Sequence, residues 1–154
     1  MASDIEARLK TLGVTLPIPG APAANYIPTV ASGRILFVSG QIPITPEGVK
    51  FVGKVGREYS IDQGREAARL CAINILANIK AGIGDLEKIT RFLKVTGFVN
   101  AVPDFEDAHL VINGASDFLV EVLGDRGRHA RSAIGVGTLP RGVAVEVEAI
   151  VETA

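Results

Sequence analysis

A chain of 154 residues, 47% of them hydrophobic, can form a compact domain with a substantial apolar core. Its net charge of −1, with acidic and basic residues interspersed, argues against a nucleic-acid-binding surface. The single cysteine excludes a disulfide within the chain and a metal site built from several cysteines. No apolar run approaches the roughly eighteen residues of a membrane span and no secretory signal opens the chain, so we expect a cytoplasmic protein that does not enter a membrane.

Residues 1–24 are predicted to form a short helix followed by an extended arm. The segment Ser3–Glu6 has capping-box spacing, and Ile5, Leu9 and Leu12 then share one helical face before Gly13. The segment 17–22 contains three prolines and a glycine, which disfavour regular structure. We expect this arm to lie over the rest of the chain and not to link two domains.

Three strands are predicted before the first long helix. Asn25 to Thr29 is a short strand candidate that Pro28 limits to a sheet edge. Ile35–Val38 is a continuous apolar run and the strongest of the three. Val49 to Val55, interrupted by Gly53, is predicted as a weak and curved strand.

Two longer helices are predicted on either side of another strand. The first begins after the capping box Ser60–Gln63, buries a face that includes Cys71, and ends around residues 81–84. The strand spans Ile89 to Val99. The second helix begins near residues 103–104 and continues to Gly124, with a break expected near Asn113–Gly114 because glycine is unfavourable inside a helix.

The last quarter of the chain is almost wholly apolar, yet it carries three charged residues in predicted strands. Ala130 to Val136 and Val143 to Val151 are expected to pair as a hairpin through the turn at 139–142. In the second strand the valines share one face, which we assign to the core, whereas Glu146 and Glu148 share the other. The order of elements predicts an α+β fold with two helices on one face of a mixed sheet.

Arg131 and the segment Ser39–Pro43 are the strongest candidates for binding chemistry. A guanidinium among apolar strand residues suits bidentate binding of a carboxylate, and the alternative is a structural salt bridge to Glu146 or Glu148. The glycine that follows Ser39 lets a ligand or another chain approach the backbone, and the alternative is a simple strand-ending turn.

The cysteine and the two histidines carry weaker signals. Cys71 lies on the buried helical stripe and is predicted to be an inert core residue. His109 and His129 lack metal-pair spacing and a visible catalytic partner. The chain also lacks a phosphate-binding glycine loop and the Gly-x-Ser-x-Gly signature of many hydrolases.

Five motifs occur in the order found in the Rid family, also called YjgF or endoribonuclease L-PSP. They are Ser39–Pro43, Asn113–Ser116, Ala130–Ser132, Leu139–Pro140 and Val145–Ala149. The resemblance covers the chain from about Asn25 to the C-terminus, and it is closest to the longer members of the family. It implies one chorismate mutase-like domain over residues 1–154, with residues 1–24 as an extension.

The resemblance implies assembly and activity as well as fold. Family members form homotrimers in which the sheets build a central barrel, and their ligand clefts lie between neighbouring subunits. The best understood members hydrolyse reactive enamines and imines, such as 2-iminopropanoate, to 2-keto acids and ammonia without a cofactor. By this resemblance Arg131 holds the substrate carboxylate, and Glu146 orients or activates the attacking water and assists proton transfer.

The same resemblance implies a set of substrate-binding residues. Ser39 and the backbone of Gly40 line the pocket, and Tyr26 and Asn113 close it. Ala133 stands where many deaminases have cysteine, and it supplies the same backbone amide. The N-terminal extension and the longer segment 100–112 depart from the shorter members, and both are expected to reshape the pocket.

Two further functions stay open at this point. A trimer that binds a small carboxylate without turnover is consistent with the altered loops. An endoribonuclease follows from the family's older name, but the near-neutral charge and the lack of interleaved basic and aromatic residues argue against it.

Overall fold

The computed structural model of the protein describes residues 3–22 and 24–154. These residues form three α-helices, which are α1 (Asp4–Thr11), α2 (Ile61–Ile83) and α3 (Ala108–Leu123). They also form strands β1 (Thr29–Ser32), β2 (Ile35–Gln41), β3 (Ile44–Thr45), β4 (Gly48–Val49), β5 (Ile89–Asn100), β6 (Ala130–Val136) and β7 (Val145–Thr153).

A five-stranded mixed sheet is the centre of the fold. Its strand order is β1-β2-β7-β5-β6, and only the β5–β6 pair is parallel. Helices α2 and α3 pack on one face, where the valines of β7 join the core, as the alternation of that strand predicts. The predicted α+β fold, with two helices on one face of a mixed sheet, is confirmed, and α1 is a third helix.

The helix boundaries largely follow the capping signals. Ser60 and Gln63 form the predicted capping box of α2, and Gly84 ends this helix in the left-handed conformation with φ of 82°. Helix α1 begins after Ser3, whose side chain accepts a hydrogen bond from the Glu6 N–H. Its Ile5 is fully buried in the common core, so α1 is an integral packing element.

The predicted hairpin between β6 and β7 is wrong, because β5 lies between these two strands. The connection passes across the end of β5 through a 3₁₀ turn at Pro140–Gly142. Asn100, the last residue of β5, holds this crossing: its side chain donates to the Val143 carbonyl over 3.1 Å, and its backbone N–H donates to Ala144. Strand β5 thus pairs with both β6 and β7, in place of the direct β6–β7 pairing that the turn sequence favours.

Two early strand predictions also need correction. Asn25 to Thr29 is not a strand, because the first strand begins only at Thr29, which pairs with Val38 of β2. The tight turn at Gly33, with φ of 58°, sets this pairing of β1 with β2. Val49 to Val55 is not a continuous strand, because Phe51 and Gly53 have φ of 53° and 143°, which interrupt an extended backbone. Only isolated bridges remain in this segment beyond β4.

Helix α3 begins later than predicted and is unbroken. Residues 103–107 form a loop, so the helix starts at Ala108. Gly114 does not break it, because this glycine marks the closest approach of α3 to α2: a Cβ there would lie 2.0 Å from the Arg65 carbonyl oxygen. Packing between helices therefore outweighs the low helix propensity of glycine. None of the helices in the described part of the chain is long and apolar enough to cross a membrane.

Candidate functional site

Arg131 and Glu146 lie on opposite faces of the sheet. Arg131 pairs in register with Val95 of β5, and Val95 pairs with Ala149 of β7, so all three belong to the helix-covered face. Glu146 shares its row with Phe98 and belongs to the opposite face of the sheet. Within one chain the two candidate catalytic residues therefore belong to separate groups of side chains.

The first group surrounds Glu146 at the end of β2. Gly40 packs directly against this carboxylate, since a Cβ at Gly40 would lie 2.1 Å from Glu146 Oε1. Burial raises the pKa of Glu146, and the nearby charge of Glu148 raises it further. A half-buried carboxyl whose pKa is shifted towards neutrality is suited to accept and return a proton.

Ser39 and Tyr26 contribute to this group in different ways. The Ser39 hydroxyl donates to the Ile27 carbonyl over 3.0 Å, and its backbone N–H donates to the Pro28 carbonyl. Ser39 thereby fixes the segment that carries Tyr26. Tyr26, Gly40 and Glu146 line the same cavity, to which the Ser39 side chain does not contribute.

The second group surrounds Arg131 on the edge strand β6. Its Nη1 donates to Asn113 Oδ1 over 2.8 Å and to Ser116 Oγ over 3.2 Å, and its Nη2 donates to the His109 carbonyl over 3.3 Å. Ala133 follows two residues later on the same face, opposite Gly97. The alternative of a salt bridge to Glu146 or Glu148 is wrong, because Arg131 has no ion pair within the described part of the chain.

The hydrogen bonds of Arg131 leave one edge of its guanidinium free. A guanidinium has five N–H groups, and three of those of Arg131 donate to helix α3. The Nε–H and one N–H of Nη2 remain without a partner among the described residues. Nε and Nη2 lie on the same side of the guanidinium plane, and arginines commonly bind a carboxylate from this side.

His129 supports the same arginine through Ser116. His129 Nδ1 lies 2.6 Å from the Gly127 carbonyl, which only accepts, so Nδ1 carries the proton. His129 Nε2 therefore accepts from the Ser116 hydroxyl over 2.9 Å, and the oxygen of that hydroxyl accepts from Arg131. Burial lowers the pKa of His129, and the charge of Arg131 lowers it further, which keeps the imidazole neutral.

The close approach of α3 to the sheet places the partners of Arg131. A Cβ at Gly97 of β5 would lie 2.4 Å from Ile112 Cδ1, so glycine lets this turn of the helix sit low on the sheet. Asn113 follows Ile112 directly, and Ser116 is one turn further on the same helical face. Strand β6 is next to β5, which brings Arg131 within reach of both.

Comparison with known proteins assigns the chain to a family. The sequence profile described as "YjgF/chorismate mutase-like, putative endoribonuclease" matches residues 6–149. The chain belongs to the YjgF/RutC/RidA family. This confirms the resemblance found in its motifs.

Three relatives in this family illustrate its range. Protein TCP17 of Trypanosoma cruzi is 44% identical over 96% of this chain and 93% of its own. The crystal structure of Atu1372 from Agrobacterium tumefaciens, a protein of unknown function, superposes with a TM-score of 0.92, is 51% identical, and covers 98% of this chain and 93% of its own. The 2-iminobutanoate/2-iminopropanoate deaminase of Salmonella typhimurium is 31% identical over 88% of this chain and 94% of its own.

The sequence did not reveal every residue of the site in this family member. Ser116 was missed, although its spacing of three residues from Asn113 places both on one helical face. His129 was considered only as a metal ligand or catalytic residue, and its bond to Ser116 joins elements that the sequence does not connect. Cys71 is an inert core residue as predicted: it is fully buried, and burial raises the pKa of its thiol.

Among residues 3–22 and 24–154, no three His, Cys, Asp or Glu side chains are grouped closely enough to hold a metal ion.

Proposed function

We propose that the protein hydrolyses reactive 2-imino acids, such as 2-iminopropanoate, to 2-keto acids and ammonia. The observation that carries this proposal is the guanidinium of Arg131, which α3 holds in place while its Nε–H and one Nη2–H have no partner among the described residues. A 2-imino acid offers a carboxylate for that edge and an electrophilic carbon next to it. The deaminase name of the Salmonella relative supports the same reaction class.

We propose further that the reaction occurs between two copies of the chain. The Glu146 group and the Arg131 group lie on opposite faces of one sheet, so neither group alone holds both an anchor and a proton carrier. On the face of the sheet that carries Glu146, 48% of Phe37 and 47% of Ile134 are exposed, which favours contact with another copy. A closed homotrimer, as the family resemblance implies, would repeat this contact three times.

The two groups divide the chemistry between them. Arg131 binds the carboxylate, which places the C2=N carbon beside Glu146 of the neighbouring copy. Glu146 takes a proton from a water as the water oxygen bonds to C2, and passes that proton to the imine nitrogen, which gives a neutral carbinolamine. Glu146 then takes the proton of the carbinolamine hydroxyl and delivers it to the amine nitrogen as the C–N bond breaks, so that ammonia leaves and the hydroxyl oxygen becomes the keto oxygen. Positioning and proton transfer suffice, because the imine is already electrophilic.

The experiment generates 2-aminoacrylate with a dehydratase and follows keto-acid and ammonia release with and without the protein. We expect the protein to accelerate release above the spontaneous rate, and Arg131→Ala to remove the acceleration. Binding of a stable keto-acid analogue without acceleration would instead indicate a carboxylate-binding protein. Cleavage of RNA in a parallel assay, with no effect on the imine, would identify the endoribonuclease.

A further inference from the structure

The cavity in front of Glu146 continues beyond the space that a three-carbon substrate needs. Its volume is about 630 Å³, a size typical of sites for considerably larger ligands. The N-terminal arm, the loop after β2 and helix α2 form its walls.

Two buried asparagines of α2 line this space with unused acceptors. Asn74 and Asn78 are only 3% and 7% exposed. The amide nitrogen of Asn74 donates to the carbonyls of Ile42 and Ile44, each over 3.0 Å. The amide nitrogen of Asn78 donates to Gln41 Oε1 over 3.0 Å and to the Asn74 carbonyl over 2.9 Å. Both nitrogens are therefore saturated.

The two side-chain oxygens have no such partners. No donor in the described residues bonds Oδ1 of Asn74 or Asn78. Every side-chain nitrogen and oxygen that is fully buried in these residues has a hydrogen bond, so the two unbonded oxygens are not fully buried. These two oxygens are thus open to the cavity that both residues line. They lie one helical turn apart on the same face of α2, so one group can reach both.

Arg141 supplies a donor on the rim of the same cavity. Its backbone has φ of 59°, a conformation that non-glycine residues adopt rarely and that turns the chain at the 3₁₀ segment before β7. Its guanidinium makes no hydrogen bond or ion pair with the described residues. A positive charge on the ligand would be repelled here, so the donor that satisfies the two asparagines is a neutral one.

We propose that this part of the cavity is a subsite for a carboxamide side chain. Its NH₂ group donates to the oxygens of Asn74 and Asn78, and its carbonyl accepts from Arg141. The inference rests on the proposed function and names the substrate class: 2-imino acids derived from asparagine or glutamine.

The test uses two substrates whose side chains have the same shape, of which only one carries an NH₂ group that can donate a hydrogen bond. Asparagine and leucine have isosteric side chains, and an amino-acid oxidase converts both to imino acids in the assay. We expect kcat/KM for the asparagine-derived imine to exceed that for the leucine-derived imine by about 10-fold or more, because an isopropyl group leaves the amide oxygens unpaired.

Asn78→Leu should bring that ratio close to one. Asn74 is a poorer choice for substitution, because its nitrogen holds the Ile42–Ile44 segment in place. Glu66→Leu is the control, since it makes a polar-to-apolar change on the same helix at an exposed residue that does not line the cavity, and it should preserve the ratio.

Calorimetric titration with succinamate and with 4-methylpentanoate makes the same comparison without turnover. We expect succinamate to bind more tightly, and Asn78→Leu to abolish the difference. If no imino acid is hydrolysed, the proposed function fails, and calorimetry still decides on the subsite. If imino acids are hydrolysed and no carboxamide preference exists, or if the preference survives Asn78→Leu, the subsite proposal is overturned.

Discussion

At the scale of single residues, the proposed reaction gives the guanidinium of Arg131 two tasks that lysine cannot combine. Three of its N–H groups fix it to α3, and the Nε–H and one Nη2–H are left for the proposed bond to a carboxylate. We expect Arg131→Lys to lower kcat/KM for 2-iminopropanoate on the order of 10²-fold, because an ammonium keeps the charge and loses the planar fork. Kinetics together with circular dichroism checks this. Near-wild-type rates, or loss of the fold, would make Arg131 a structural residue.

Glu146 is expected to carry the proton transfer. Glu146→Gln should lower kcat on the order of 10²-fold and leave the affinity for a keto-acid analogue nearly unchanged. Calorimetry beside the kinetic assay checks both parts, and an unchanged kcat would refute the catalytic role.

Glu148→Gln is the matched control for Glu146→Gln, because it removes a carboxylate from the same face. Burial is the larger cause of the raised pKa of Glu146, and the charge of Glu148 is the smaller one. The variant should have the smaller effect on kcat and should move the acidic limb of the pH–rate profile to lower pH.

His129 makes the stability of the Arg131 group depend on pH. Because the folded pKa is lowered from 6.5, the unfolded chain binds the proton more readily. The free energy of unfolding should therefore fall as pH drops from about 6.5 towards the folded pKa, since the imidazolium would face Arg131. The other facing groups, Ser116 and the Gly127 carbonyl, are neutral.

His129→Phe should weaken this dependence. Urea unfolding at about pH 7.5 and about pH 5.5 checks the prediction. The His129→Phe variant should also raise KM by a larger factor than it lowers kcat, because His129 acts only by positioning Arg131 through Ser116. If the free energy of unfolding of the variant depends on pH as it does in the wild type, the proposed role of His129 is wrong.

At the scale of elements, the contact between α2 and α3 depends on Gly114. A Cβ at this position would meet the Arg65 carbonyl oxygen at 2.0 Å, so the two helix backbones would have to separate. We expect Gly114→Ala to lower the free energy of unfolding by about 1–3 kcal/mol, although alanine favours helix. Urea denaturation measures this. Gly137→Ala is the control, because a Cβ there meets nothing within 4 Å and Gly137 does not line the cavity.

The same contact links stability to the site. Asn113 precedes Gly114, so a shift of this turn would displace a partner of Arg131. Gly114→Ala should therefore also reduce imine turnover, and equal activity in both glycine variants would contradict that link.

At the scale of the whole molecule, the separation of the two groups predicts assembly. Light scattering should give three times the 16.2 kDa chain mass. A monomer at micromolar concentration would remove the proposed cleft between copies.

Mixing two inactive variants tests the shared cleft directly. Trimers refolded from equal amounts of Arg131→Lys and Glu146→Gln should recover about a quarter of the wild-type activity, because random assembly gives that share of clefts two intact groups. Mixing Arg131→Lys with Arg131→Ala is the control and should recover nothing. Absence of recovery in a mixed trimer would place both groups in the same copy.

Local signals in the sequence were enough to fix most of the elements. The capping box at Ser60, the alternation of β7 and the apolar run of β2 each determine structure through neighbours in the chain. The motifs around Gly40, Arg131 and Glu146 identified the family for the same reason, since each is a short contiguous segment.

Only the tertiary structure decided how these pieces meet. The insertion of β5 between β6 and β7 depends on pairing between distant strands, which outweighed a local turn. The same strand order put Arg131 and Glu146 on opposite faces, and the packing of α3 on Gly97 brought Asn113 and Ser116 to the arginine. The sequence thus indicated the residues that we propose to carry the chemistry, and long-range packing decided that they form two separate groups.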